Sequence, residues 1–245
     1  MRFSILTLNP GFFRGATDEG MIRVARQKGL LDVQVVAIRD FTVDRYGTTD
    51  DYPYGGGAGM VMKAEPILRA YETVSRDAPA PRVLVTSPQG RRFTQAFAQE
   101  LALEPSIVVV CGRYKGIDER VIPLMGAEEI SIGDYVLSGG EPAAITILDA
   151  VTRLLPGVLG DAESAEADSF SEPLLDAPVY TRPEDVGGQR VPDVLVSGDH
   201  EKIRVWKRRE AIRRTWIKRP DLLLGRELSP EDRRLLDEIK NEEGR

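Results

Sequence analysis

The chain has 245 residues, enough for one large domain or two small ones, and its 42% hydrophobic and 29% charged content excludes disordered, collagen-like and fibrous classes. A formal net charge of −6 argues, as a total, against a nucleic-acid partner. No apolar run approaches the roughly 18 residues that span a bilayer, and the start is too short an apolar run for a signal peptide, so the chain reads as a cytoplasmic protein.

In chain order, β-rich runs at 3–8, 33–38, 82–86, 106–111 and 129–132 predict strands, and the patterns at 19–28, 65–73, 94–103 and 143–154 predict helices between them. This alternation over residues 1–160 predicts an α/β domain with a mainly parallel sheet. Residues 161–176 carry six acids, no basic residue and few large apolar ones, the composition of a linker. Residues 177–245 read as a small helical domain whose last helix is opened by Ser229 with Pro230 at its first position.

Charge is concentrated in that last part. Residues 201–219 hold nine basic residues against two acidic, without proline or glycine, and predict a helix inside an otherwise acidic chain. At about 100° per residue Arg204, Lys207, Arg214 and Lys218 share one face with Ala211 between them, while Val205, Ile212 and Trp216 face a core. The stripe suits phosphate contact; a solvated charged face is the alternative.

One cysteine, Cys111, excludes an internal disulfide; with the single histidine, His200, it leaves too few soft ligands for structural zinc and no nucleophile-elbow or Cys-His arrangement. Phosphate-loop and dinucleotide fingerprints are absent as well. Four glycine-bearing segments remain: DDYPYGGGAGM (50–60), TSPQG (86–90), CGRYKGIDER (111–120) and SIGDYVLSGGEP (131–142). The first permits close backbone approach to a planar ligand or is a flexible hinge. The second is read as a turn directly after a strand, either a ligand loop or a plain tight turn. The last three follow strands, so their backbones would converge on one side of a parallel sheet, where an adenosine-like ligand could be held without a phosphate motif.

Taken in order with PGVLG, DSF, YTRP and the SGDH-to-RTWIKRP stretch, these segments resemble the bacterial tRNA (guanine-N1)-methyltransferases that modify guanine 37, 3′ of the anticodon, over about residues 3–236. The resemblance implies a SPOUT fold with a deep trefoil knot and a helical C-terminal domain, a homodimer, S-adenosyl-L-methionine as cofactor and the tRNA anticodon stem-loop as partner. By the same resemblance the cofactor is held by Thr86, Ser87, Pro88 and Gln89, by Gly112, Arg113, Tyr114 and Gly116, and by Ile132, Gly133, Asp134, Tyr135, Val136, Leu137, Gly139 and Gly140. Asp168 matches the general base and Arg153 the arginine that assists transfer. Asp50, Gly55, Gly57 and Gly59 match the region that holds the target guanine, and Ser164 lies in the linker that orders over the anticodon loop. From the residues alone, Asp168 reads as one of six linker acids and Arg153 as an ordinary helix C-terminal cation; the catalytic roles rest on the resemblance.

Three departures stand against the family pattern. Lys115 occupies the place of a usual glutamate and leaves Mg2+ dependence open; Pro142 falls one position early in the GGELPA motif; Tyr46 and Gly47 replace residues that are commonly basic. A knotted methyltransferase with another target nucleotide, and an RNA-binding protein with a remnant cofactor pocket, are the competing readings.

Overall fold

A computed structural model describes residues 1–76, 80–159, 169, 170, 172, 174–225 and 227–244. The chain divides into two compact units, Met1–Ala162 and Glu163–Arg245. In the first, five strands form one sheet in the order β2-β1-β6-β5-β7, with β1 at Arg2–Thr7, β2 at Asp32–Ala37, β5 at Arg82–Arg92, β6 at Ser106–Val110 and β7 at Glu128–Ser131. Every pairing in it is parallel. The short β3 (Asp50–Asp51) and β4 (Val61–Met62) form a separate antiparallel hairpin.

Period-2 alternation divides the core into two layers. Phe3 and Ile5 of β1, Leu84 of β5, and Ile107 and Val109 of β6 face one side. There they meet Ile22 and Ala25 of α2 (Gly20–Gln27), Phe97 and Leu101 of α4 (Gln95–Ala102), and Ala144, Ile147, Leu148 and Val151 of α6 (Glu141–Arg153). Leu6, Val83, Val85, Val108 and Val110 face the other, against Ile67, Ala70 and Val74 of α3 (Ala64–Ser75) and Val121 and Met125 of α5 (Val121–Met125). A short helix α1 (Arg14–Asp18) precedes α2. The central strand β6 is buried along its whole length, as expected for a strand covered on both faces.

The expected turn at 86–90 is corrected. β5 continues to Arg92: Thr86 pairs with Ile130, the chain bulges outward over four residues, and Arg91 returns to Ile130. Gly90 makes this return possible, because a Cβ there would overlap the Glu129 and Ile130 backbone.

In the second unit the helix His200–Lys218 starts at Asp199, whose carboxylate accepts from the Lys202 amide at 3.1 Å. The helix Pro230–Glu242 starts at Ser229, which accepts from the Asp232 amide at 3.1 Å. Their shared core is Leu174, Ile212, Leu235, Leu236 and Ile239, with Ala211 and Trp216 packed against it. Ala211, which falls between the basic residues at 100° per residue, also packs against the edge of this core. Leu174 is buried in this core, and the amides of Leu175 and Asp176 bond Thr215 Oγ1 and Ser169 Oγ, both at 2.9 Å. The described end of the acidic segment is therefore packed onto the second unit.

Candidate cofactor cleft and basic helix

The C-terminal ends of β5, β6 and β7 open into a cleft of about 700 Å³. It is enclosed by the β5 bulge and by the loops 112–117 and 132–140. All residues assigned to the cofactor line it except Asp134, whose exposed carboxylate lies 3.8 Å from Arg92.

Hydrogen bonds from one threonine hydroxyl and from the backbone join the three segments. Thr86 Oγ1 donates to the Val110 carbonyl (3.2 Å) and accepts from the Gly112 amide (3.1 Å); the Gly112 carbonyl accepts from the Gly140 amide (2.8 Å). Such proximity demands glycine. A Cβ on Gly140 would overlap Thr86 Oγ1 and come within 2.9 Å of the Cys111 α-carbon. Gly133, with φ +153, lies under the Tyr135 ring, 2.5 Å from where its Cβ would stand. Cys111 is fully buried at the cleft base, and burial, followed by the charge of Glu141, raises its thiol pKa well above the usual range; it is an inert core residue.

Beneath the cleft Glu141, only 1% exposed, heads α6. Its Oε1 accepts from Thr7 Oγ1 (2.9 Å) and Asn9 Nδ2 (3.1 Å), and Arg113 Nε lies 3.4–3.5 Å from the carboxylate. In sequence Glu141 is one more acid in a helix first turn; only the fold shows that the end of β1 reaches it.

The hairpin joins this assembly from the side. Met62 and Ile117 form a parallel bridge; the Lys115 amide donates to the Met60 carbonyl, the Met62 amide to the Gly116 carbonyl and the Asp118 amide to the Met62 carbonyl, each at 3.0 Å. The exposed loop holding Gly55, Gly57 and Gly59 therefore abuts the cleft wall, with Asp50 at the hairpin base. Its glycines take positive φ (+84 at Gly55, +116 at Gly57, +95 at Gly59), and Tyr54 beside them is fully exposed. The Lys115 stem crosses Gly59: a Cβ there would stand 2.8 Å from Lys115 Cγ. Next in the loop, Arg120 holds the Asp118 carboxyl below its ordinary range through paired hydrogen bonds at 2.8 and 2.6 Å.

Other predicted residues lie elsewhere. Arg153 ends α6, about 18 Å from Glu141 at 1.5 Å per residue, and does not line the cleft. Ser164 and Asp168 lie outside the described residues. No group of three metal-ligating side chains occurs among the described residues, and none of their helices is long and apolar enough to cross a membrane.

The basic helix divides by face. Arg208, Arg209 and Arg213 are committed internally: Arg208 pairs with Asp232 and Glu172, while Arg209 and Arg213 pair with Glu242. Arg204 pairs with Glu201 within the helix. Lys207 and Lys218 are exposed and Arg214 half-buried, none with an ion pair among the described residues. Three of the nine basic residues thus hold the unit together rather than a partner.

A parallel α/β sheet whose strand ends build a glycine-walled cleft, accompanied by a separate unit with a basic stripe, is an arrangement suited to a small ligand at the strand ends and to phosphate groups along the helix. The sequence matches the family described as tRNA (Guanine-1)-methyltransferase TrmD over residues 1–225. A tRNA (guanine-N(1)-)-methyltransferase of Geotalea uraniireducens is 51% identical over 244 residues, covering 100% of this chain and 99% of that one. Proteins of the same name from Moorella thermoacetica (51% over 246 residues, 100% and 98% covered) and Geobacter metallireducens (52% over 240 residues, 98% of each) are similarly related. The chain belongs to the tRNA (guanine-1)-methyltransferase family.

Proposed function

We propose that this protein transfers a methyl group from S-adenosyl-L-methionine to N1 of guanine 37 in tRNA. The observation that carries this reading is the junction of the loop 55–59 with the cleft wall through Lys115, Gly116 and Asp118, because it sets a candidate nucleobase loop beside a candidate cofactor cleft.

The cleft residues suit this cofactor. The volume lies within the range of small-molecule sites. Gly112, Gly116, Gly133, Gly139 and Gly140 leave parts of the cleft wall without side chains, so that an adenosine can approach the backbone closely, Ile132, Leu137 and Tyr135 offer apolar surface for the base, and Glu119 and Glu129 add negative charge that suits a sulfonium. When bound, the cofactor supplies an electrophilic methyl.

Guanine N1 carries a proton and has no free in-plane lone pair, so that proton must leave before or during transfer. Asp168 is the proposed acceptor. Charge then accumulates on O6, where the Arg153 guanidinium is proposed to stabilise it. Arg153 sits a helix length from its own chain's cleft, which supports its serving the cleft of a second copy in a homodimer. The bond from the Gly140 amide to the Gly112 carbonyl, and that from the Gly112 amide to Thr86, bring the three loops side by side, as the proposed trefoil knot of the SPOUT fold requires. Lys207, Arg214 and Lys218, with no ion pair among the described residues, support a grip on the anticodon stem by a C-terminal domain, with residues 161–176 including Ser164 closing over the loop. With tRNA as substrate, the proposed site of action is the cytoplasm.

The test is transfer of labelled methyl to unmodified tRNA carrying guanine at position 37, with nuclease digestion and mass identification of the product. 1-Methylguanosine at that position is expected, with none on a transcript carrying adenine there. No product despite measurable cofactor and tRNA binding overturns the reading in favour of a binding protein.

A further inference from the structure

Among the described residues, Glu141 is the one buried acid of the first unit placed against the cleft, and the chemistry above gives it no task. Burying a lone carboxylate is costly unless it is paired and hydrogen-bonded. Here the donors come from separate stretches of chain: Thr7 and Asn9 where β1 ends, and Arg113 in the loop after β6. The carboxylate also heads α6, where the helix dipole favours negative charge.

Two further features link this cluster to the cleft. Arg113 lines the cleft, whereas Glu141 does not. The backbone of Gly139 lies directly over their contact: a Cβ there would overlap Glu141 Oε2 and stand 2.7 Å from Arg113 Nε, and Gly139 and Arg113 form an antiparallel bridge. Both glycine-rich loops are thus referenced to one carboxylate.

We infer that Glu141 is a positioning residue for the cofactor cleft, acting through Arg113 to hold the loops 112–117 and 132–140 in their binding arrangement. This rests on the reading of the cleft as the S-adenosyl-L-methionine site.

The experiment is calorimetric titration of S-adenosyl-L-methionine into the full-length wild type, Glu141→Gln, Arg113→Gln and the double variant, with circular dichroism for folding and tRNA binding in parallel. Glu141→Gln keeps shape and removes the charge-assisted contact, so its cofactor affinity is expected to fall at least about tenfold with tRNA affinity and folded spectrum retained. The double variant is expected to bind no more weakly than Arg113→Gln alone, since the effect passes through Arg113. Wild-type affinity in Glu141→Gln, or losses that multiply in the double variant, overturns the inference. If Glu141→Gln does not fold, Glu141→Asp, which keeps the charge and shortens its reach, is judged by the same criteria. A wild type that binds no S-adenosyl-L-methionine overturns the cofactor reading itself, and with it this inference.

Discussion

Replacing Gly140 with alanine tests the close packing of the cleft wall. Gly140 has φ −79 and ψ −5, which alanine adopts without strain, so the effect is steric alone. The added methyl would overlap Thr86 Oγ1 and press to within 2.9 Å of the Cys111 α-carbon and the Gly112 nitrogen. To yield, Thr86 must abandon its bonds to the Val110 carbonyl and the Gly112 amide, about 0.5–1.5 kcal/mol each. Overpacking against the Cys111–Gly112 backbone adds about 1–3 kcal/mol, for an expected total of about 2–6 kcal/mol. Urea denaturation reads the stability and calorimetry the cofactor affinity; a lower midpoint and at least about tenfold weaker binding are expected. Gly56→Ala is the control, since nothing lies within 4 Å of its Cβ position and only its φ of +76 opposes substitution; it is expected to leave cofactor affinity unchanged. A Gly140→Ala protein that unfolds at the wild-type urea concentration and binds cofactor normally would falsify this packing argument.

Other expectations concern the second unit and the chemistry. Arg208→Ala strands Asp232, whose side chain is 7% exposed, and should destabilise the second unit by about 3 kcal/mol in urea unfolding. Arg208 also holds the Asp232 pKa below its ordinary 3.8, so this pair's contribution is present above that pH and lost as pH falls through the lowered value; acid titrations should show a shallower loss of stability in Arg208→Ala than in wild type. Charge reversal at Lys207 and Lys218 should weaken tRNA binding and lower its salt slope by about one unit for each phosphate no longer neutralised, with cofactor affinity unchanged; an unaltered slope in filter binding at graded KCl sinks the phosphate assignment. Asp168→Asn should lower single-turnover methyl transfer by about 10²–10⁴-fold while retaining cofactor affinity, and wild-type turnover would remove Asp168 as the base.

Four of the five main strands were legible as short runs rich in apolar and β-branched residues, and the fifth, β7, by the isoleucines at 130 and 132; all were placed within a residue or two except β5. Its continuation through Pro88 and Gly90 was hidden, because those residues signal a turn in any local reading; only pairing with Ile130 on both sides of the bulge keeps Arg91 and Arg92 in the sheet. The basic helix was visible by composition, but which bases face outward was only partly so. Arg208, Arg209 and Arg213 are chemically identical to Arg214, and the acids that claim them, at Glu172, Asp232 and Glu242, are 24 to 36 residues away in the chain.

By itself the sequence determined the main strands and the longer helices, their parallel α/β order and the three glycine-bearing loops that meet, since these depend on periodicity and on the conformational freedom of individual residues; the hairpin of β3 and β4 and the short helices α1 and α5 carried too few residues to show a period. Tertiary structure alone decided what those loops touch. Glu141 gains its meaning from Thr7 and Asn9, 134 and 132 residues away, and Gly139 and Gly140 are glycine because atoms of other segments occupy the space a side chain would need. Local periodicity carries no information about such neighbours, because a buried charge and a close backbone approach are properties of segments that meet only after the sheet has formed.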